Sequence, residues 1–216
     1  MNGAFEDTLH YTSPAHGGWG MVRIGMLVPE SVQLFVCPFA CGRHGAIGAM
    51  RQGFKDRLAY LYVDQNDIVR GYDDQIPGAV EELLDALPRR PRVVLIFLSC
   101  LDDLIGTDRE ALLEVLHGRF PDLRFRICHM NPISLDSKSP PPVTIRRRIY
   151  SLLEPSETKE TSVNSIGNLE AVAPECELHR VLEGLGAGEL RHISRCRTFE
   201  EFRSEEHTSE LQSRTV

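Results

Sequence analysis

The chain alternates between short, continuous apolar runs and longer stretches in which apolar residues return every three or four positions. Val32 to Val36, within Ser-Val-Gln-Leu-Phe-Val, is β-branched and aromatic and runs straight into Cys37-Pro38, which predicts a strand. Leu58 to Val63 predicts a second strand and Leu123 to Cys128 another. Val93 to Leu98 is apolar at every position, the pattern of a strand covered on both faces of a parallel sheet. Between these runs, Ile76 to Leu87 spaces Val80, Leu83, Leu84 and Leu87 as a helix does, and Pro88 stops it. Thr107-Asp-Arg-Glu110 has the form of a capping box, opening a helix through His117. Pro142 to Leu153 also predicts a helix, with Arg146, Arg147 and Arg148 on a solvated face. Gly42 to Phe54 predicts a short helix weakened by Gly42, Gly45, Gly48 and Gly53, and Asp67 to Tyr72 predicts a loop.

Strands alternating with helices define an α/β chain, a Rossmann-like parallel sheet with flanking helices. Residues 154–161 are polar and read as a linker. Val163 to Asn168 then restarts the pattern as a strand and glycine turn, followed by a helix over Glu177 to Leu182 and a strand over Leu190 to Ile193. The expected organisation is a first α/β domain over 1–153 and the opening of a second Rossmann-like domain over 162–202. The tail differs in kind. Arg203-Ser-Glu-Glu-His-Thr-Ser-Glu-Leu-Gln-Ser213 resembles one translated frame of a common sequencing adapter. Residues 203–216 are therefore expected to be foreign, with the genuine frame lost near Phe202 and the chain a fragment.

Composition narrows the function. Of the 216 residues 42% are hydrophobic and 25% charged, with a formal net charge of −7. That balance is ordinary for a soluble globular chain and offers no basic stripe for a nucleic acid. The polar start has no signal-peptide core, and the longest apolar run is too short for a membrane span. A cytoplasmic protein is expected.

Six cysteines in such a chain point to metal or redox chemistry rather than to a disulfide framework. Cys37 ends one predicted strand, Cys41 lies in the glycine-containing turn after it, and Cys100 follows the Val93 strand within two residues. In open α/β sheets, ligands gather at the carboxyl ends of strands, so these three thiols are expected on one rim. Soft thiolates on a rim suit an iron–sulfur cluster, which needs a fourth ligand or a partner chain to complete it. Each cysteine is alternatively a small buried hydrophobe. A zinc site is a weak reading, because Cys37-x3-Cys41 has no second knuckle. Cys128, Cys176 and Cys196 default to structural positions.

Four segments, in order, also resemble nitrogenase component 1. Cys37-Pro-Phe-Ala-Cys41-Gly-Arg-His44-Gly is similar to its segment with a cluster cysteine followed by glycine. Asp67-Ile-Val-Arg-Gly71 is similar to its D-I-V-x-G loop, and Cys100-Leu-Asp-Asp-Leu-Ile-Gly-Thr-Asp108 to its C-x3-L-I-G-D-D motif. Val163 to Asn168 resembles the opening of that family's second domain. The resemblance spans roughly His16 to Leu185. It implies that Cys41 and Cys100 are cluster ligands. Where nitrogenase has an earlier cysteine this chain has Ala15-His16-Gly17-Gly18, and Cys37 sits where that family lacks one. The expected cofactor is therefore a simpler 4Fe–4S cluster, as in nitrogenase-like tetrapyrrole reductases. Cys37 would replace the missing ligand, and His16 or a partner residue would complete the set. Gly42 would bring a backbone N–H to the cluster, Trp19 and Phe39 would exclude water, and His44 would offer a hydrogen bond or proton.

By the same resemblance, the whole protein pairs with an identical or related sister subunit and takes electrons from an ATP-hydrolysing iron protein. The nucleotide site would belong to that partner, in keeping with the lack of a G-x4-G-K-[ST] loop here. Two other functions fit the sequence: a cofactor-assembly scaffold on the same fold, and a cluster-free α/β domain whose cysteines merely pack.

Overall fold

The computed structural model describes residues 20–131, 138–154 and 161–204. A parallel four-stranded sheet forms its centre, in the order β2-β1-β3-β4. The strands are β1 (Ser31–Cys37), β2 (Leu58–Tyr62), β3 (Val93–Ser99) and β4 (Arg124–Met130). All seven residues of β1 and all seven of β3 are buried. Each large apolar side chain so covered contributes about 1.5–3 kcal/mol.

Side-chain alternation divides the core in two. Phe35, Cys37, Leu95, Phe97, Cys128 and Met130 face one layer, with residues of the helices α1 (Gly20–Met26) and α7 (Pro141–Tyr150). Val32, Leu34, Val36, Val94, Ile96 and Leu98 face the other, against α4 (Ile76–Ala86) and α6 (Arg109–Arg119). Gln33, like Ser31, is a buried polar residue within β1. It is fully buried and donates Nε2 to the Val22 carbonyl at 2.8 Å, tying the strand to α1.

Three local expectations change. Asp67 to Tyr72 is not a loop throughout, because α3 (Gln65–Arg70) occupies most of it. Asp64 caps that helix by accepting from the Asn66 and Asp67 N–H groups, while Asp67 accepts from the Asp64 N–H. The bond from the Asp64 N–H first, and then one from Gln75 Nε2, hold the Asp67 carboxyl below the usual carboxylate range. At α6 the cap is Asp108 rather than Thr107, accepting from Glu110 and Ala111. The glycine-rich segment forms a full helix, α2 (Phe39–Arg51), which begins before Gly42 and ends before Gly53.

Beyond α7, β5 (Val163–Asn164) and β6 (Leu190–Arg191) pair in parallel on either side of α8 (Glu177–Gly184). This βαβ unit is followed by α9 (Phe199–Arg203), whose Phe199 and Phe202 are fully buried and share a core cluster with Phe35 and Phe97. Most of the expected linker, 155–160, and the tail from 205 lie outside the described residues.

Candidate functional site

The strand order puts β2 on one side of β1 and β3 on the other, so the chain reverses direction across the sheet between β1 and β3. A crevice for ligands forms outside the carboxyl ends at such a switch point. Val36 pairs with Leu98, so Cys37 and Ser99 leave the sheet at the same level. Cys37 is the last residue of β1, Cys41 lies in the first turn of α2, and Cys100 directly follows β3.

The three cysteines differ in environment. Cys37 is 1% exposed, and burial first, then the nearby Cys41, pushes its thiol up to about 12. Its sulfur lies under Gly42, where a β-carbon would meet Cys37 Sγ and the Tyr60 ring at 3.3 Å. Cys41 is half-buried, and its thiol is raised by burial and then by Cys100. Cys100 is also half-buried. Cys37 and Cys41, and Cys41 and Cys100, thus lie within electrostatic reach of each other. Among the described residues, no three His, Cys, Asp or Glu side chains could hold a metal ion.

The remaining expected site residues fare unevenly. The Gly42 N–H donates to the Pro38 carbonyl at 3.1 Å, and the Cys41 N–H to the same oxygen at 3.0 Å. Gly42 therefore serves close approach of α2 to β1, with its donor already engaged. His44 sits on α2, its side chain outside the described atoms, and His16 and Trp19 lie outside the described residues. Phe39 is exposed and meets Tyr62 edge-on at 6.2 Å between ring centroids. Of the other cysteines, Cys128 is buried, Cys196 is half-buried and Cys176 is exposed before α8.

Sequence reasoning missed a polar cluster beside Cys100. Helix α5 (Asp102–Ile105) follows that cysteine and ends at Gly106, whose φ of +74° suits glycine. The Asp102 side chain is fully buried and accepts from Arg109 through Nε at 3.0 Å, with Nη2 at 2.8 Å. Asp103 lies 3.2 Å from His129 Nε2 and accepts from Asn131 Nδ2. Tyr72 OH, Thr107 Oγ1, Ser99 Oγ and Asp102 Oδ1 are buried without hydrogen-bond partners. Burial foremost, then Asp102, raises the Tyr72 hydroxyl, and burial lowers the His129 imidazole against the pull of Asp103. The carboxyl-end rule that singles out Cys37 also covers His129, one residue from the end of β4.

No protein-family model and no curated protein sequence matches the chain. Its fold, however, is similar to that of solved nitrogenase structures. Against "Nitrogenase Cp1 at pH 6.5" it superposes with a TM-score of 0.59 at 14% identity over 90% of this chain. Against "Nitrogenase Cp1 at pH 5" the TM-score is 0.62 at 15% identity, again over 90%. The chain spans 41% and 43% of those proteins' lengths. The shared class is therefore a nitrogenase-like α/β fold. Among the described residues, no helix is long and apolar enough to cross a membrane.

Proposed function

We propose that this chain is part of a nitrogenase-like reductase subunit and supplies cysteine ligands to a 4Fe–4S cluster at the carboxyl edge of its sheet. One observation carries the reading: Cys37 ends β1 and Cys100 directly follows β3, its neighbour across the switch point, with Cys41 in the first turn of the helix after Cys37. The donor type fits, since thiolate is the ligand that iron–sulfur clusters prefer, although no three of the described side chains are grouped to hold a metal ion. Cys41 and Cys100 are the accessible pair and the principal ligands. Cys37 lies beneath them as the third, and His16 or a partner chain supplies the rest.

Such a cluster, when bound, relays electrons singly. The chain's own residues hold it at the rim and limit water. Phe39, Tyr60 and Tyr62 expose aromatic surface beside the cysteines, which suits contact with a sister subunit. The ATP-hydrolysing iron protein would be the electron donor.

Anaerobic reconstitution with iron and sulfide tests the reading. Native chain is expected to bind both and turn brown, while Cys41→Ala or Cys100→Ala loses most of the iron and Cys196→Ala keeps it. Equal iron in all three variants would count against the assignment. The near-complete burial of Cys37 favours a second reading, a cluster-free domain in which the cysteines pack. A native chain that stays colourless and iron-free would select it.

A further inference from the structure

The turn that carries Cys100 is fastened from both sides. From α6, Arg109 reaches back seven residues to the buried Asp102 carboxylate through Nε and Nη2. From β4 and the residue just after it, His129 and Asn131 meet Asp103. The turn itself is a single short helix, closed by the Gly106 N–H on the Asp102 carbonyl at 2.9 Å. So short a helix has little stability of its own. Its shape depends on what grips it.

A fully buried carboxylate is costly unless paired, and removing one partner of such a pair strands a charge. Asp102 is paired on one oxygen only, and Oδ1 has no partner. Replacing a buried ion pair by apolar residues is often neutral for folding, so a buried carboxylate tied to the part-exposed Arg109 here is better suited to fixing a geometry. The nearest geometry that it fixes begins two residues earlier.

We propose that Asp102 and Arg109 are a positioning pair for Cys100, holding its thiol half-buried at the rim before any ligand arrives. As a role in ligand placement this rests on the reading of Cys100 as a ligand, but the constraint on the thiol exists in the metal-free chain. The two charges have opposite electrostatic effects on a neighbouring thiol, since the carboxylate disfavours the thiolate and the guanidinium favours it. Their mechanical effect is the same.

That difference provides the experiment. The full metal-free chain is alkylated with iodoacetamide, and each cysteine is followed by peptide mass spectrometry in the native chain, Asp102→Asn and Arg109→Gln. Both variants are expected to speed labelling of Cys100 about tenfold, the scale of local opening when a buried pair is broken. Cys128 should stay unlabelled throughout. An unchanged Cys100 rate overturns the proposal. So does a rise in one variant with a fall in the other, which would mean charge without position. Labelling of Cys128 in step with Cys100 overturns it as well, because the pair would then support the whole fold. Iron reconstitution of the native chain is scored separately, so that loss of the cluster reading and loss of the positioning role are distinguishable.

Discussion

Gly45 lies so close to Phe35 that a β-carbon there would come within 2.4 Å of ring atom Cε2 and 2.7 Å of Cδ2. Phe35 cannot withdraw easily, being fully buried and packed edge-on against Phe97 at 4.8 Å between ring centroids. The absent side chain is what lets α2 lie directly on β1, and with it Cys41 over Cys37. Gly45→Ala is therefore expected to destabilise the chain by about 1–3 kcal/mol through overpacking. The usual gain in helix propensity, about 1 kcal/mol, offsets only part of this. A denaturant midpoint at or above that of the native chain would show that α2 can shift without cost.

The contrast with the sequence reading is instructive. A continuous apolar run identified β3 because a strand covered on both faces has no polar side to show. Gly42, Gly45 and Gly48 weakened the helix reading because propensity describes isolated helices, and tertiary packing won. The cap at Asp64 was missed because an Asp-x-x-Asp pair performs a task usually recognised as Ser/Thr-x-x-Glu. The placement of Cys37 and Cys100 at the carboxyl ends of β1 and β3 was legible, since parallel strand ends share a rim whatever the loops do. The pairing of Asp102 with Arg109 was not legible, because it depends on how a four-residue helix turns before α6. No periodicity encodes that.

Arg57 anchors the amino ends of two strands. Its Nε donates to the Ser31 carbonyl at 2.9 Å, and its Nη2 to the Val28 carbonyl at 2.6 Å and Ser31 Oγ at 2.8 Å. Burial lowers its pKa, yet the carbonyls compensate the charge. Arg57→Ala is expected to cost about 2–3 kcal/mol, the range for hydrogen bonds to a charged group. Lysine cannot reproduce a fork that reaches two carbonyls at once, so Arg57→Lys should recover less than half of the loss. Full recovery in a thermal melt would mean that charge alone matters there.

Thiol reactivity should rank the cysteines without any metal. The thiolate is the nucleophile, and burial holds Cys37 and Cys128 at about 12. Both are expected to resist a thiol-specific disulfide reagent at mildly alkaline pH until denaturant is added. Cys176, exposed at the start of α8, should react first, and Cys41, raised by burial and by Cys100, more slowly. Early modification of Cys37 in the folded chain would place it at the surface and contradict the packing under Gly42.

His192 gives the second segment a dependence on acid. The Ser194 N–H donates to Nδ1 at 3.1 Å, so Nδ1 carries the lone pair, while Nε2 faces the Asn168 carbonyl at 3.3 Å. Protonating Nδ1 would set an N–H against the Ser194 N–H and break this cap. Burial first, and then Arg195, lowers the His192 pKa, outweighing the bond to Asn168. Burial also lowers His129. A histidine whose folded pKa lies below its unfolded value of about 6.5 binds fewer protons when folded, so stability rises with pH. The contribution is complete above about pH 6.5 and is lost as pH falls from there towards the folded pKa. Melting temperature is accordingly expected to drop between neutral and mildly acidic buffer. His192→Asn keeps an acceptor for the Ser194 N–H and removes the titration, so it should flatten part of that drop, His129 accounting for the rest. An identical pH slope in the native chain and the variant would show that His192 is already free to protonate in the fold.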